Sequence, residues 1–211
     1  MRLDSPRIAP LGDDELDADQ TAALEAFAAT GRILNIFRTL AHAPKALLRF
    51  QQWGGYVLSK RNALPERERE IVILRTGYLC RSGYEWAQHE QIGLRAGLTP
   101  EEIARIKQGP DAEGWSAADA ALLRAADELV GDHFISDATW AALDPLSDKA
   151  KMDVVFTVGQ YTQVSMMLNS LSRRSPMRAA RPRPSKPTSP IRAPASGSRR
   201  LPSNAGARPT S

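Results

Sequence analysis

Glu85 and His89 are the residues in this sequence whose types and spacing could move a proton. Glu85 and His89 are four apart, so on a helix they share a face. An imidazole titrates near neutral pH, and a well-placed acid or base of this kind contributes about 10²–10⁴-fold to a rate. A carboxylate buried against an apolar ring such as Trp86 has its pKa raised and becomes a usable acid. Tyr84 can add a hydrogen bond. Glu85 also brings negative charge to a place where an anionic substrate needs the opposite, and Arg75 or Arg81 is the candidate counter-charge. The blander reading of Glu85 and His89 is a solvated i,i+4 pair worth about 0.2–0.5 kcal/mol. Cys80, the single cysteine, offers thiol chemistry on its own or is simply a small buried hydrophobe. His42, just before Pro44, reads as a helix-start or packing residue, and His133 as a helix-end residue suited to the dipole. One cysteine and three scattered histidines do not make a zinc site. Glycine-rich nucleotide and phosphate loops are absent. The expectation is no metal and no cofactor.

The elements that must position these residues lie between Glu70 and Gly97. Ile71, Val72, Ile73 and Leu74 give the apolar face of one helix. Arg81-Ser82-Gly83 breaks the pattern. A second helix runs from about Tyr84 to Gly97, where glycine tolerates a left-handed end. Gly93, one turn beyond His89, is expected to leave room beside the site. Upstream, Asp17 to Thr30 reads as a helix stopped by Gly31, and Asn35 to His42 as a short one. Pro44 starts another, with Leu47, Leu48, Phe50, Trp53 and Val57 facing inward. Residues 1–16 read as an arm with little regular structure. Pro65 sits at a helix start, and Arg67-Glu68-Arg69-Glu70 reads as a solvated face with Glu70 the exception.

Downstream, Thr99-Pro100-Glu101-Glu102 is a capping box. Ser116, Ser136 and Ser147 are further N-caps. The last long helix, from Lys149 to about Leu168, carries Val154, Val155, Val158, Tyr161, Val164 and Leu168 on its buried side. Its β-branched residues would suit a strand, but its length and 3.6 spacing favour helix. Tyr161 reads as core, with a place in the pocket as its second use. Trp53, Trp115 and Trp140 read as core or interface anchors. The fold class is all-α.

Of the 28 Lys and Arg residues, ten lie from Ser172 onward, where there is no Asp or Glu. Residues 1–171 therefore hold eighteen basic and 24 acidic residues, a net charge of −6, and show no basic stripe for nucleic acid. Residues 1–171 are expected to form one domain. Residues 172–211 hold eight of the 15 prolines and almost nothing apolar, so they are expected to be a disordered tail. A GC-rich gene read out of frame gives the same composition, and a frameshifted end is the second origin for it. Contact with nucleic acid is expected only weakly, through this tail. No run reaches the ~18 apolar residues of a membrane span, and no secretory signal pattern opens the chain. The expected compartment is the cytoplasm.

Glu70, Tyr84-Glu85-Trp86, His89 and Ala96-Gly97-Leu98 resemble the carboxymuconolactone decarboxylase superfamily, which includes the AhpD-like alkyl hydroperoxidases. The likeness extends over most of residues 35–170, through Leu40-Ala41-His42-Ala43-Pro44, Arg67-Glu68-Arg69-Glu70 and Leu168-Asn169. It implies an AhpD-like helical bundle that assembles into a homo-oligomer, a trimer or a hexamer, with a pocket beside the paired helices. The peroxidase members carry two cysteines between the glutamate and the histidine. Ser82 and Glu85 stand at those two positions here, so a dithiol mechanism is lost. The Tyr-Glu-Trp-x-x-His string marks a branch without the cysteine pair.

The resemblance therefore implies acid/base chemistry, a decarboxylation or isomerisation of a small organic acid or lactone. The catalytic candidates are Glu70, Glu85 and His89, and the binding candidates are Tyr84, Trp86 and Cys80. The alternatives are peroxide reduction through Cys80 alone, and a non-catalytic ligand-binding or assembly protein on the same scaffold.

Overall fold

The computed structural model describes residues 3–28 and 33–172. The expected stop at Gly31 and the tail beyond Ser172 lie outside the described residues. Among those described, all regular structure is helical. In chain order the helices are α1 (Ala18–Ala28), α2 (Asn35–Leu40), α3 (Pro44–Val57), α4 (Glu66–Leu79), α5 (Gly83–Arg95), α6 (Pro100–Ile106), α7 (Ala117–Gly131), α8 (Asp137–Ala142) and α9 (Asp148–Leu171).

Helix starts follow the local chemistry. The hydroxyls of Ser116, Ser136 and Ser147 accept from the amides of Asp119, Thr139 and Ala150. Thr99 and Glu102 satisfy each other's amides at 3.1 and 2.8 Å, and each such cap is worth about 1 kcal/mol. α5 ends with Gly97 at φ +105°, which lets the Leu98 amide reach back to the Gly93 carbonyl at 2.9 Å. The segment 148–171 is helical despite its β-branched residues, because a buried helical face packed against neighbours outweighs a weak local preference.

α4 is the central rod. It packs against α5, α7 and α9, and every residue from Arg69 to Gly77 is buried. A helix covered on all sides is apolar nearly all round, so a glutamate at position 70 within it stands out. The main core gathers Ile71, Val72, Leu74, Trp86, Ile106, Leu122, Leu123, Val154 and Val158 around this rod.

α5 lies close to α4 because two glycines permit it. A Cβ on Gly93 would meet Leu98 Cδ1 at 3.0 Å, Leu74 Cδ1 at 3.4 Å and Glu70 Cβ at 3.8 Å. The space expected beside Gly93 is thus filled, and the glycine serves close helix approach. Gly77 faces Glu85 Cβ across the same interface at 3.5 Å. At the corner between the two helices Arg81 adopts φ +53°. The C-terminal part of α9 is tied there, with Asn169 Nδ2 donating to the Cys80 carbonyl at 2.9 Å.

Several expected inward faces are corrected. Leu48 and Trp53 on α3 are 38% and 40% exposed, and Val155 on α9 also faces outward. Leu47 and Val57 carry the buried side of α3. Trp53 stacks on Tyr56 and meets Phe156 of α9 edge-on. Arg67 and Arg69 do not form a solvated face. Arg67 joins Asp119 and Glu102 in a half-buried ion cluster, and Arg69 is buried.

In the arm expected over residues 1–16, residues 3–12 lack helix and Asp13–Glu15 form a short 3₁₀ turn, and the arm is held down. The amides of Arg7 and Ile8 reach the Leu171 carbonyl, and Arg38 Nη1 donates to the Leu11 carbonyl at 3.0 Å. The His42 ring lies 3.0 Å from the Ala9 carbonyl, a packing role. The His133 ring lies 3.1 Å from the Leu129 carbonyl at the end of α7. Among the described residues no helix is long and apolar enough to cross a membrane.

Candidate functional site

α4 presents Glu70 one turn in from its start, and α5 presents Glu85 and His89 from its facing side. His89 Nδ1 lies 2.7 Å from Glu70 Oε2, and His89 Nε2 lies 3.5 Å from Glu85 Oε2. The imidazole thus sits between two carboxyl groups, one from each helix. All three are buried, at 1% exposure for Glu70, 6% for His89 and 7% for Glu85. α9 closes the third side. The Tyr161 ring stands perpendicular to the His89 ring with centroids 4.8 Å apart.

Electrostatics separate the two carboxyl groups. Burial pushes the Glu85 carboxyl above its usual range; the His89 charge opposes this and the Glu70 charge adds to it. Burial, then Glu85 and Glu70, push the Tyr161 phenol well up, with Arg69 acting the other way. A Glu70 carboxylate can only accept, so its short bond places the imidazole proton on Nδ1. Nε2 is then a lone pair turned toward Glu85. A neutral Glu85 can give Nε2 a proton, and an ionised one can steady an imidazolium. Such an arrangement has the geometry to pass a proton, with Glu70 as the fixed end and Glu85 as the mobile end.

The other sequence candidates fall at different distances from this centre. Tyr84 is half-buried on the first turn of α5. Trp86 sits on the core side of α5, its ring edge-on to Tyr78 and beneath the Lys107 ammonium. Cys80 is half-buried at the C-cap of α4, with Sγ 4.0 Å from Thr162 Oγ1. Ser82 is buried at the N-cap of α5, with no side-chain bond to the helix amides. Arg75 is not the counter-charge expected. Its guanidinium is held by both oxygens of Asp127 and by the Ile106 carbonyl. Arg81 is exposed at the corner.

Two residues matter more than their sequence suggested. Tyr161 packs on the histidine, and Arg69 is the cation that the Tyr161 phenol feels. Neither could be read locally, because α9 meets α5 only through tertiary packing. Among the described residues no group of His, Cys, Asp and Glu is arranged to hold a metal ion.

The model of the carboxymuconolactone decarboxylase family matches residues 44–128, which contain α4, α5 and Glu70, Glu85 and His89. Over that stretch the chain is similar to the family, and its fold is AhpD-like. Solved structures share its fold at low identity. An alkylhydroperoxidase AhpD core, an uncharacterized peroxidase-related protein from Ralstonia eutropha JMP134, is 21% identical. The match covers 79% of this chain and 92% of that one at a TM-score of 0.66. A variant of the debrominase Bmp8, in complex with 2,3,4-tribromopyrrole, is 10% identical, covering 82% and 94% at 0.65. A protein of unknown function from Agrobacterium tumefaciens is 16% identical, covering 61% and 89% at 0.55. No curated protein matches the chain in sequence. Within this fold, the chain places a carboxyl group at position 85, against the histidine.

Proposed function

We propose that the chain is an enzyme of proton transfer, acting on a small organic acid or lactone in a decarboxylation or an isomerisation. The observation that carries this reading is His89 held by Glu70 at 2.7 Å, with Glu85 facing its other nitrogen. In an isomerisation, His89 Nε2 takes a proton from carbon, Glu70 steadies the resulting imidazolium, and the same proton returns at another carbon. In a decarboxylation, loss of CO₂ leaves an electron pair on carbon, and that carbon takes its proton from neutral Glu85 or from the imidazolium. The pushed-up Glu85 carboxyl suits the acid role. The family match supports an enzymatic role, since superfamily members include enzymes.

Peroxide reduction through Cys80 alone fits less well. Cys80 caps the C-terminal end of α4, where the helix dipole disfavours a thiolate. We also propose self-association as a trimer or hexamer, supported by exposed apolar side chains on the adjacent helices α3 and α9, among them Trp53 and Val155.

The deciding experiment follows solvent deuterium into a panel of small lactones and carboxylic acids by proton NMR. The wild-type chain is expected to exchange at least one class of carbon-bound hydrogen, and His89→Gln to lose this. Equal exchange with both proteins removes the reading.

A further inference from the structure

We infer that the cleft between the start of α4 and the end of α5 binds the carboxylate of a small organic acid, with Arg69 as its anchor. The inference rests on the proton-transfer reading for its biological setting, but not for its test. The cleft has a volume of about 280 Å³ and is lined by Leu58, Glu66, Arg69, Glu70, Ile92, Arg95 and Ala96. It meets the Glu70, His89 and Glu85 group at Glu70, which is both a wall of the cleft and the partner of His89 Nδ1. Its volume is at the lower edge of the ~300–1,000 Å³ of small-molecule sites, so the occupant is small.

The charges inside are not balanced. Glu70 has His89 as its partner. Arg69 is 6% exposed, and its one bond is from Nη1 to the Ser59 carbonyl at 3.2 Å. Its Nε is buried without any hydrogen-bond partner, and no carboxylate among the described residues lies within ion-pairing distance of it. A buried cation without a counter-ion is strongly disfavoured, and an orphaned guanidinium donor is an uncommon thing for a fold to keep. The planar fork of Arg69 matches a carboxylate in geometry and charge. At the rim, Glu66 and Arg95 are exposed and belong to no ion pair among the described residues, so Arg95 adds attraction at the entrance and Glu66 opposes it. Leu58, nearly half exposed, and Ile92 offer an apolar wall to the body of the acid.

Isothermal titration calorimetry of the full chain with hexanoate, and with the uncharged hexanamide, tests this. Hexanoate is expected to bind, and hexanamide to bind about tenfold more weakly or less. Arg69→Gln is expected to lose about tenfold or more of the hexanoate affinity. Arg69→Lys is expected to recover part of it, keeping the charge without the fork. Arg95→Gln is expected to weaken binding less, and mainly at low salt. No hexanoate binding, equal affinity for acid and amide, or unchanged affinity in a folded Arg69→Gln overturns the inference. If circular dichroism shows Arg69→Gln to be unfolded, the acid–amide comparison and Arg69→Lys decide. Carboxylate binding without any deuterium exchange in the wild type would remove the proton-transfer reading and leave the anchor standing.

Discussion

Glu70 and His89, nineteen positions apart and on different helices, meet through a 2.7 Å contact that is almost wholly shielded from solvent. The pair fixes which imidazole nitrogen holds its proton and which faces outward to Glu85. Replacing either member should therefore remove the chemistry with little damage to the fold. Glu70→Gln and His89→Gln are expected to lower deuterium exchange by about 10²-fold or more. Far-UV circular dichroism should stay as in the wild type. A rate drop accompanied by loss of helicity would instead mark the pair as structural.

Glu85 should make stability depend on pH in a definite direction. Its folded-state pKa lies above the unfolded value because burial disfavours the charge. The unfolded chain gives up this proton first as pH rises past about 4.3. Stability from this group is therefore complete below that pH and falls as pH rises toward the folded value. Glu85→Gln removes the loss. Its melting temperature should exceed the wild type's at pH 7 by a few degrees, at roughly 2–4 °C per kcal/mol, and the gap should close near pH 4. A gap that grows on acidification would contradict the assigned direction.

Gly93 and Gly55 should respond oppositely to alanine. A methyl at Gly93 would press on Leu98 and Leu74, side chains fixed in the core. Gly93→Ala is expected to cost about 1–3 kcal/mol and to shift the α4–α5 spacing. Gly55, inside α3, has nothing within 4 Å of its added Cβ. Gly55→Ala is expected to stabilise by about 0.5–1 kcal/mol. Urea unfolding of both variants supplies the comparison.

Tyr161 holds His89 through its ring. Tyr161→Phe keeps that ring and should change stability by less than about 1.5 kcal/mol. Tyr161→Ala opens a large void and should cost about 3–5 kcal/mol. If Phe is as damaging as Ala, the hydroxyl rather than the ring carries the contact.

Cys80 should be a poor peroxidase. Hydroperoxide consumption with dithiothreitol is expected to run no faster for the wild type than for Cys80→Ser. A rate that depends on Cys80 would revive the thiol reading.

The helices could be read from sequence because caps and periodicity are local. Thr99, Ser116, Ser136 and Ser147 each mark a start, and Gly97 marks an end, by bonds that span only a few residues. Glu85 and His89 were visible for the same reason, as polar residues at helical spacing on one face, whereas Glu70 was singled out by the family resemblance. Which faces turn inward was less legible. Leu48, Trp53 and Val155 have apolar side chains and helical spacing, yet they face out. Periodicity gives the stripe along a helix, and the neighbour it meets decides which part of that stripe is covered.

The sequence alone determined an all-helical chain with two adjoining helices that carry two carboxyl groups and an imidazole. Tertiary structure alone decided that these groups converge, that Tyr161 and Arg69 stand with them, and that Arg75 is spent on Asp127 instead. Contacts between residues tens of positions apart depend on how rods cross, and that crossing is set by the packed volumes at Gly77 and Gly93 together with the cover that α7 and α9 provide. No pattern within a single helix contains that information.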